Sequence, residues 1–101
     1  MTIENLIKEK ETLEKKLDTK EKQHITNKFK LKEQEAKIYT ETNWKDEEHK
    51  KYTNKKLKEA YINKKLNKQK LQNEQETQEI QTIKRKIENI TFKTKYIIEA
   101  Q

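Results

Sequence analysis

The stretch Thr42–Ile62, TNWKDEEHKKYTNKKLKEAYI, decides how this chain is read. It holds the single Trp, two of the four Tyr, and the one interruption of an otherwise helical pattern. Asn43 or Thr42 is placed to cap a short turn, with Asp46 three or four residues further on. Glu47 and Glu48 suit a helix N-terminus, and Lys50 and Lys51 a C-terminus. Thr53 is the best N-cap candidate for the helix that follows, with Tyr52 as the apolar residue before it. Its capping box is incomplete, because Lys56 stands where a Glu would reach back. The link therefore spans about residues 41–53, and two outcomes are open. Either the chain reverses there, or it continues as one helix of about 95 residues.

Before the link, residues 3–40 read as one helix. Thr2 is its N-cap candidate and Glu4 lies in the first turn. Its apolar residues, Ile3, Leu6, Ile7, Leu13, Leu17, Ile25, Phe29, Leu31, Ala36, Ile38 and Tyr39, fall within one half of the circumference at 100° per residue. The segment DTKEKQH, 18–24, carries no apolar residue. After the link, residues 54–99 read as a second helix. Ile80, Ile83, Ile87, Ile90 and Ile97 keep a coiled-coil spacing with Thr94 as the polar position among them. Carried backward, that register passes through Ile62, Leu66, Gln69, Asn73 and Glu76, and turns polar across QNEQETQE, 72–79.

Folding the chain about residue 48 sets Leu6 against Ile90, Leu13 against Ile83, Leu17 against Ile80, Ile25 against Leu71, Phe29 against Leu66 and Ala36 against Ala60. The two polar gaps then coincide, as expected of polar layers that fix register. The expected fold is all-α: an antiparallel helical hairpin with long coiled-coil-like arms, forming one domain over residues 1–101.

Composition agrees with this class. Gly, Pro and Cys are absent, so tight turns that need a positive φ, disulfides and zinc-thiolate sites are excluded. Lys, Glu, Gln and Leu are good helix formers. Leu, Ile and Phe number only twenty; buried together they contribute roughly 30–60 kcal/mol gross. Ordering about 100 residues costs on the order of 100–200 kcal/mol. A lone hairpin cannot bury all of these side chains, so a homodimer, as a four-helix bundle, or a protein partner is expected. No apolar run approaches 18 residues, so no membrane span is expected. The N-terminal MTIENLIKEKETLEKK reads as a helix start and not as a signal peptide. The expected location is cytoplasmic.

No catalytic or metal motif is present: there is no Gly-rich phosphate loop, HExxH or EF-hand loop. No enzyme activity and no cofactor are expected. His24 and His49 read as solvated helical residues. The formal charge is +7, and the excess lies late, with twelve basic against six acidic side chains in residues 54–101. Lys55, Lys56, Lys58, Lys64, Lys65 and Lys68 lie beside Trp44, Tyr52 and Tyr61. Aromatic faces for stacking next to ammonium groups for phosphate are how single-stranded nucleic acid is held without sequence readout. The competing reading makes the same aromatics a small core that closes the link, with the lysines as wet helix surface. The lysines spread around the helix and form no stripe. Near the C-terminus, Phe92, Tyr96, Ile97 and Ile98 are candidates for an oligomer interface.

The segments TNWKD (42–46) and TNKKLKEAYI (53–62) resemble small helical proteins encoded by phages and prophages. Those carry a Trp-Lys loop, then Thr/Ser-Asn, then Ala-aromatic-aliphatic before a long coiled coil. Thr53, Asn54, Ala60, Tyr61 and Ile62 fit that pattern. Lys58 stands where Arg is common, Lys55 where an acid is common, and the loop Gly is missing. The resemblance implies a mobile-element origin in a bacterial or archaeal cell, beside recombination or host-defence genes. The layout is also similar to WXG-type secreted helical hairpins, with Trp44 near the centre. Asp46 replaces their Gly, however, and Ala100 stands where their C-terminal acid belongs. The leading functional expectation is a non-enzymatic interaction protein that binds or inhibits a partner protein, one belonging to a nucleic-acid machine among the candidates. Sequence-independent nucleic-acid binding is the alternative, and a WXG-like secreted protein the minor one.

Overall fold

The computed structural model describes residues 2–100 and is all-helical, with no strand among them. Three helices follow one another: α1 (Ile3–Glu41), α2 (Lys55–Lys65) and α3 (Asn67–Ala100). The Thr2 hydroxyl accepts from the Asn5 amide at 3.2 Å and starts α1. This satisfies one of the donors that a helix N-terminus leaves open. At the start of α2 the cap is Asn54 and not Thr53. The Asn54 backbone is extended, and its Oδ1 accepts from the Leu57 amide at 2.9 Å. Asn is at least as good a cap as Thr, and its position one residue later gives that bond its usual three-residue span.

Where the pattern suggests one helix after the link, the chain forms two. Leu66 closes α2 with φ −102° and ψ 13°. The hydrogen-bond ladder carries across it: the Leu66 amide donates to Ile62 at 2.9 Å and Lys70 donates to Leu66 at 3.0 Å. The interruption between α2 and α3 therefore breaks no backbone pairing at this residue, and Leu66 itself is buried.

The chain divides into two compact units, Met1–His24 with Gln75–Gln101, and Ile25–Glu74. In the first, Leu6, Ile80, Ile83 and Ile90 are buried. On α1, Ile3, Lys10, Leu13, Leu17 and Lys20 are half-buried, as is Glu21 beside Lys20, and His24 is 7% exposed. The spacing is 3-4 throughout, and on α3 the same rule takes in Ile87, Thr94 and Ile97. Lys20 Nζ meets Glu79 at 2.8 Å and Lys84 Nζ lies 3.9 Å from Glu21. The bond from Lys20 and its charge hold the Glu79 carboxyl below its ordinary value; the same bond raises Lys20.

In the second unit Ile62 and Leu66 are buried, and Asn27, Leu31, Glu35, Ile38, Lys70 and Asn73 are half-buried. Lys70 bonds Glu35 at 3.2 Å and also reaches Asn63. Three expected pairings fail here. Ile25 is 67% exposed, Phe29 65% and Leu71 50%, and Ala36 and Ala60 are exposed too. The buried stripe of α1 steps 24, 27, 31, 35, 38. It thus takes in Asn27 and Glu35 and leaves Ile25 and Phe29 outside. Spacing, not hydrophobicity, selects the buried positions: two successive four-residue steps, 27–31–35, keep the stripe on one side of a 3.6-residue helix.

No helix is long and apolar enough to cross a membrane.

Candidate interaction site

Residues 42–54 are held by short-range bonds. The Thr42 hydroxyl donates to Ile38 at 2.5 Å, and Asn43 Oδ1 accepts from the Lys45 amide at 3.1 Å. Asp46 does what a helix cap does: its Oδ1 accepts from the His49 amide at 2.8 Å, and its carbonyl accepts from Lys50 at 2.9 Å. Burial would push the Asp46 carboxyl up. Hydrogen bonds from the His49 amide and ring, the His49 charge and a bond from the Glu48 amide outweigh it and hold the group below its ordinary value.

Trp44 lies at the middle of the cluster these bonds create. Its ring centroid is 6.0 Å from Tyr39, 6.2 Å from both His49 and Tyr52, and 5.6 Å from Tyr61. The last three contacts are near-perpendicular, the geometry that sets a ring's positive edge on a neighbour's negative face. Tyr52 and Tyr61 are 4.8 Å apart. The indole Nε1–H donates to the Tyr39 carbonyl at 3.0 Å, which ties the link to the last turn of α1.

His49 completes the cluster. Nδ1 lies 2.8 Å from Asp46 Oδ1 and Nε2 3.0 Å from the Tyr61 hydroxyl. The ring therefore bridges the Asp46 carboxylate and the Tyr61 hydroxyl, and the three side chains form one connected chain. A solvated His was expected. The structure half-buries it instead, between two partners it bonds.

The predicted lysines divide into two sets. Lys58 lies 5.4 Å from the Trp44 ring centroid and 5.9 Å from that of Tyr39, and Lys65 lies 5.1 Å from that of Tyr61. A side-chain bond to Tyr61 raises Lys65 above its ordinary value. These two are covers of the aromatic cluster. Lys55, Lys56, Lys64 and Lys68 are exposed. Lys55 shares a groove with Lys32, Tyr39 and Ile62. The aromatics predicted to stack bases are thus packed on one another, with Lys58 and Lys65 over their rings.

The second group of predicted residues lies in the other unit. Phe92 and Tyr96 are 71% and 67% exposed, Ile98 is exposed, and Ile97 is half-buried in the seam.

A surface that sequence reasoning did not single out lies on α1 within the second unit. Ile25, Lys28, Phe29, Lys32 and Ala36 are all exposed. They fall within about 100° of helix arc, away from the buried stripe. Their signal in the sequence is the spacing 24, 27, 31, 35, 38, which leaves them no place in the seam. The same unit holds fourteen Lys against eight Asp and Glu, a net +6, while the first unit holds eleven basic against ten acidic residues, a net +1. Nearly all of the protein's charge is therefore carried by residues 25–74. Among the described residues no group of His, Asp or Glu is arranged to hold a metal ion.

No protein-family profile, no curated protein and no solved structure matches this chain.

Proposed function

We propose that the protein is a non-enzymatic interaction module, a helical hairpin reversing at the link. In this reading it binds an acidic protein partner through the face Ile25–Lys28–Phe29–Lys32–Ala36. The observation that carries the reading is the exposure of Ile25 and Phe29 between lysines, beside a buried stripe complete without them. Large apolar side chains of this size, contiguous and rimmed by charge, mark interfaces. A surface of apolar residues among lysines fits an amphipathic helix with acidic flanks. The hairpin is supported by contacts in the first unit that run in opposite directions along the chain, Lys20 with Glu79 and His24 with Thr77. A phage or prophage origin rests on the Thr42–Asp46 and Thr53–Ile62 motifs and suits an accessory or inhibitor acting in the cytoplasm.

A second reading, sequence-independent nucleic-acid binding, is favoured by the +6 charge of residues 25–74. The aromatics expected to stack bases in that reading, Trp44, Tyr52 and Tyr61, are engaged with one another.

A photo-crosslinking residue at position 29, in cells that carry the gene, separates the two. A discrete protein adduct, resistant to nuclease and lost on Lys28→Glu with Lys32→Glu, supports the first. A nuclease-sensitive adduct sinks it. So does oligonucleotide binding that falls steeply with salt and is abolished by Lys55→Gln, Lys56→Gln, Lys64→Gln and Lys68→Gln together.

A further inference from the structure

The exposed face of α3 in the first unit has a pattern that the acidic-partner reading does not use. Arg85, Glu88, Phe92, Lys95, Tyr96 and Glu99 are all exposed. At 100° per residue they lie within about 100° of arc, on the side of α3 away from Ile83, Ile90 and Ile97. Phe92 and Tyr96 are the two most exposed aromatics of the protein, one turn apart.

We infer that this face binds the same face of a second copy, with the two α3 helices antiparallel and the two-fold axis passing beside Phe92. Charge complementarity selects both the occupant and the direction. Reflecting the numbering about 92 brings Phe92 onto the partner copy's Phe92. It also brings Glu88 within reach of Lys95 and Tyr96, and Arg85 onto Glu99. Each charged residue then faces its opposite, twice over, as a two-fold interface requires. Parallel pairing sets Arg85 on Arg85 and Glu88 on Glu88, which repel. Among the described residues, Lys95–Glu99 at 3.9 Å competes, between side chains 73% and 66% exposed; such a pair is worth little.

The distribution of charge points to the same occupant. The first unit is close to neutral, with eleven basic and ten acidic residues, so two copies meet there without the repulsion that a net +6 imposes on residues 25–74. An antiparallel contact over residues 85–99 is about 22 Å long. That is shorter than a standard stable interface provides, so a reversible dimer is expected.

Sedimentation equilibrium of the full chain over a wide concentration range tests this. The expected result is a monomer–dimer equilibrium. Phe92→Ala weakens it by about tenfold or more, as for a central aromatic anchor. Arg85→Glu or Glu99→Arg alone also weakens it, and the double variant recovers most of the loss. All of these side chains are exposed in the monomer, and an unchanged helical circular dichroism signal verifies that each variant folds. A single monomer mass at every concentration overturns the inference. A dimer indifferent to Phe92→Ala does so too, as does one abolished instead by Ile7→Glu, or failure of the double charge swap to restore association. Binding of an acidic partner at Phe29 is read by a different assay on a different unit, so either proposal can fail alone.

Discussion

Replacing Trp44 by Ala removes the residue that joins the link to α1 and α2. Four rings contact it at 5.6–6.2 Å, and aromatic pairs contribute about 0.5–1.5 kcal/mol each beyond area burial. The indole bond to the Tyr39 carbonyl adds about 1 kcal/mol. Trp44 is half-buried, so the loss lies below the sum of these terms and at the low end of the 3–5 kcal/mol range for a fully buried Trp→Ala. A cost of about 2–4 kcal/mol follows. With a urea slope of about 1–1.5 kcal/mol/M for a chain of this size, the midpoint falls by about 2 M. Since the variant lacks the only indole, the assay is circular dichroism: helicity in the far ultraviolet, and the tyrosine signal of Tyr39, Tyr52 and Tyr61 in the near. Trp44→Phe keeps a ring in place and loses the Nε1–H bond, so it falls about midway. If both variants unfold within about 0.3 M of the parent, the cluster does not hold the link and the account given for it is wrong.

Two further outcomes follow. The Asp46 carboxyl is held below its ordinary value in the fold, so its ionised form is the one the fold favours. Its contribution is complete above the ordinary carboxylate value and is lost as pH falls through the lowered one; Asp46→Asn and the parent therefore differ in urea midpoint at pH 7, and the difference shrinks as pH falls through the lowered value. In the first unit His24 and Glu76 face each other at 3.9 Å within the seam, their side chains 9% and 15% exposed, and Thr77 bonds the His24 ring at 3.1 Å. Replacing both by Leu is expected to stabilise the protein by about 1–4 kcal/mol in urea denaturation, because packed apolar side chains commonly outperform a buried polar pair. His24→Leu alone is expected to destabilise.

The helices were legible because their signals are local. A hydroxyl at Thr2, the absence of Gly and Pro, and the isoleucines from Ile80 to Ile97 each act within one or two turns. The second-half seam was read nearly to the residue, with Gln69 in place of Lys70. In the first-half seam hydrophobicity points to Ile25 and Phe29, and the structure leaves both exposed. A buried stripe follows the side of the helix that faces its neighbour, and there it passes through Asn27 and Glu35. His24 and His49 were misplaced for a related reason. Their burial depends on Glu76 and Thr77 in one case and on Tyr61 in the other, residues twelve or more positions away. The aromatic cluster itself was anticipated as one of two readings. Which one holds turns on where Lys58 and Lys65 lie, and periodicity does not decide that.

The link contains no residue at positive φ, and the described chain has none anywhere. Every change of direction between Thr42 and Asn54 is made in backbone regions open to all L-residues, with Asn43, Asp46 and Asn54 supplying hydrogen bonds that a handful of other side chains also supply. The constraint on this segment is therefore one of side chains and not of dihedral angles. Saturation mutagenesis across 42–54 is expected to meet intolerance at Trp44, Asp46, His49 and Tyr52, a restricted choice of capping residues at Asn54, and broad tolerance elsewhere. A lineage can thus rewrite the exposed residues of this segment one at a time, without first passing through a glycine.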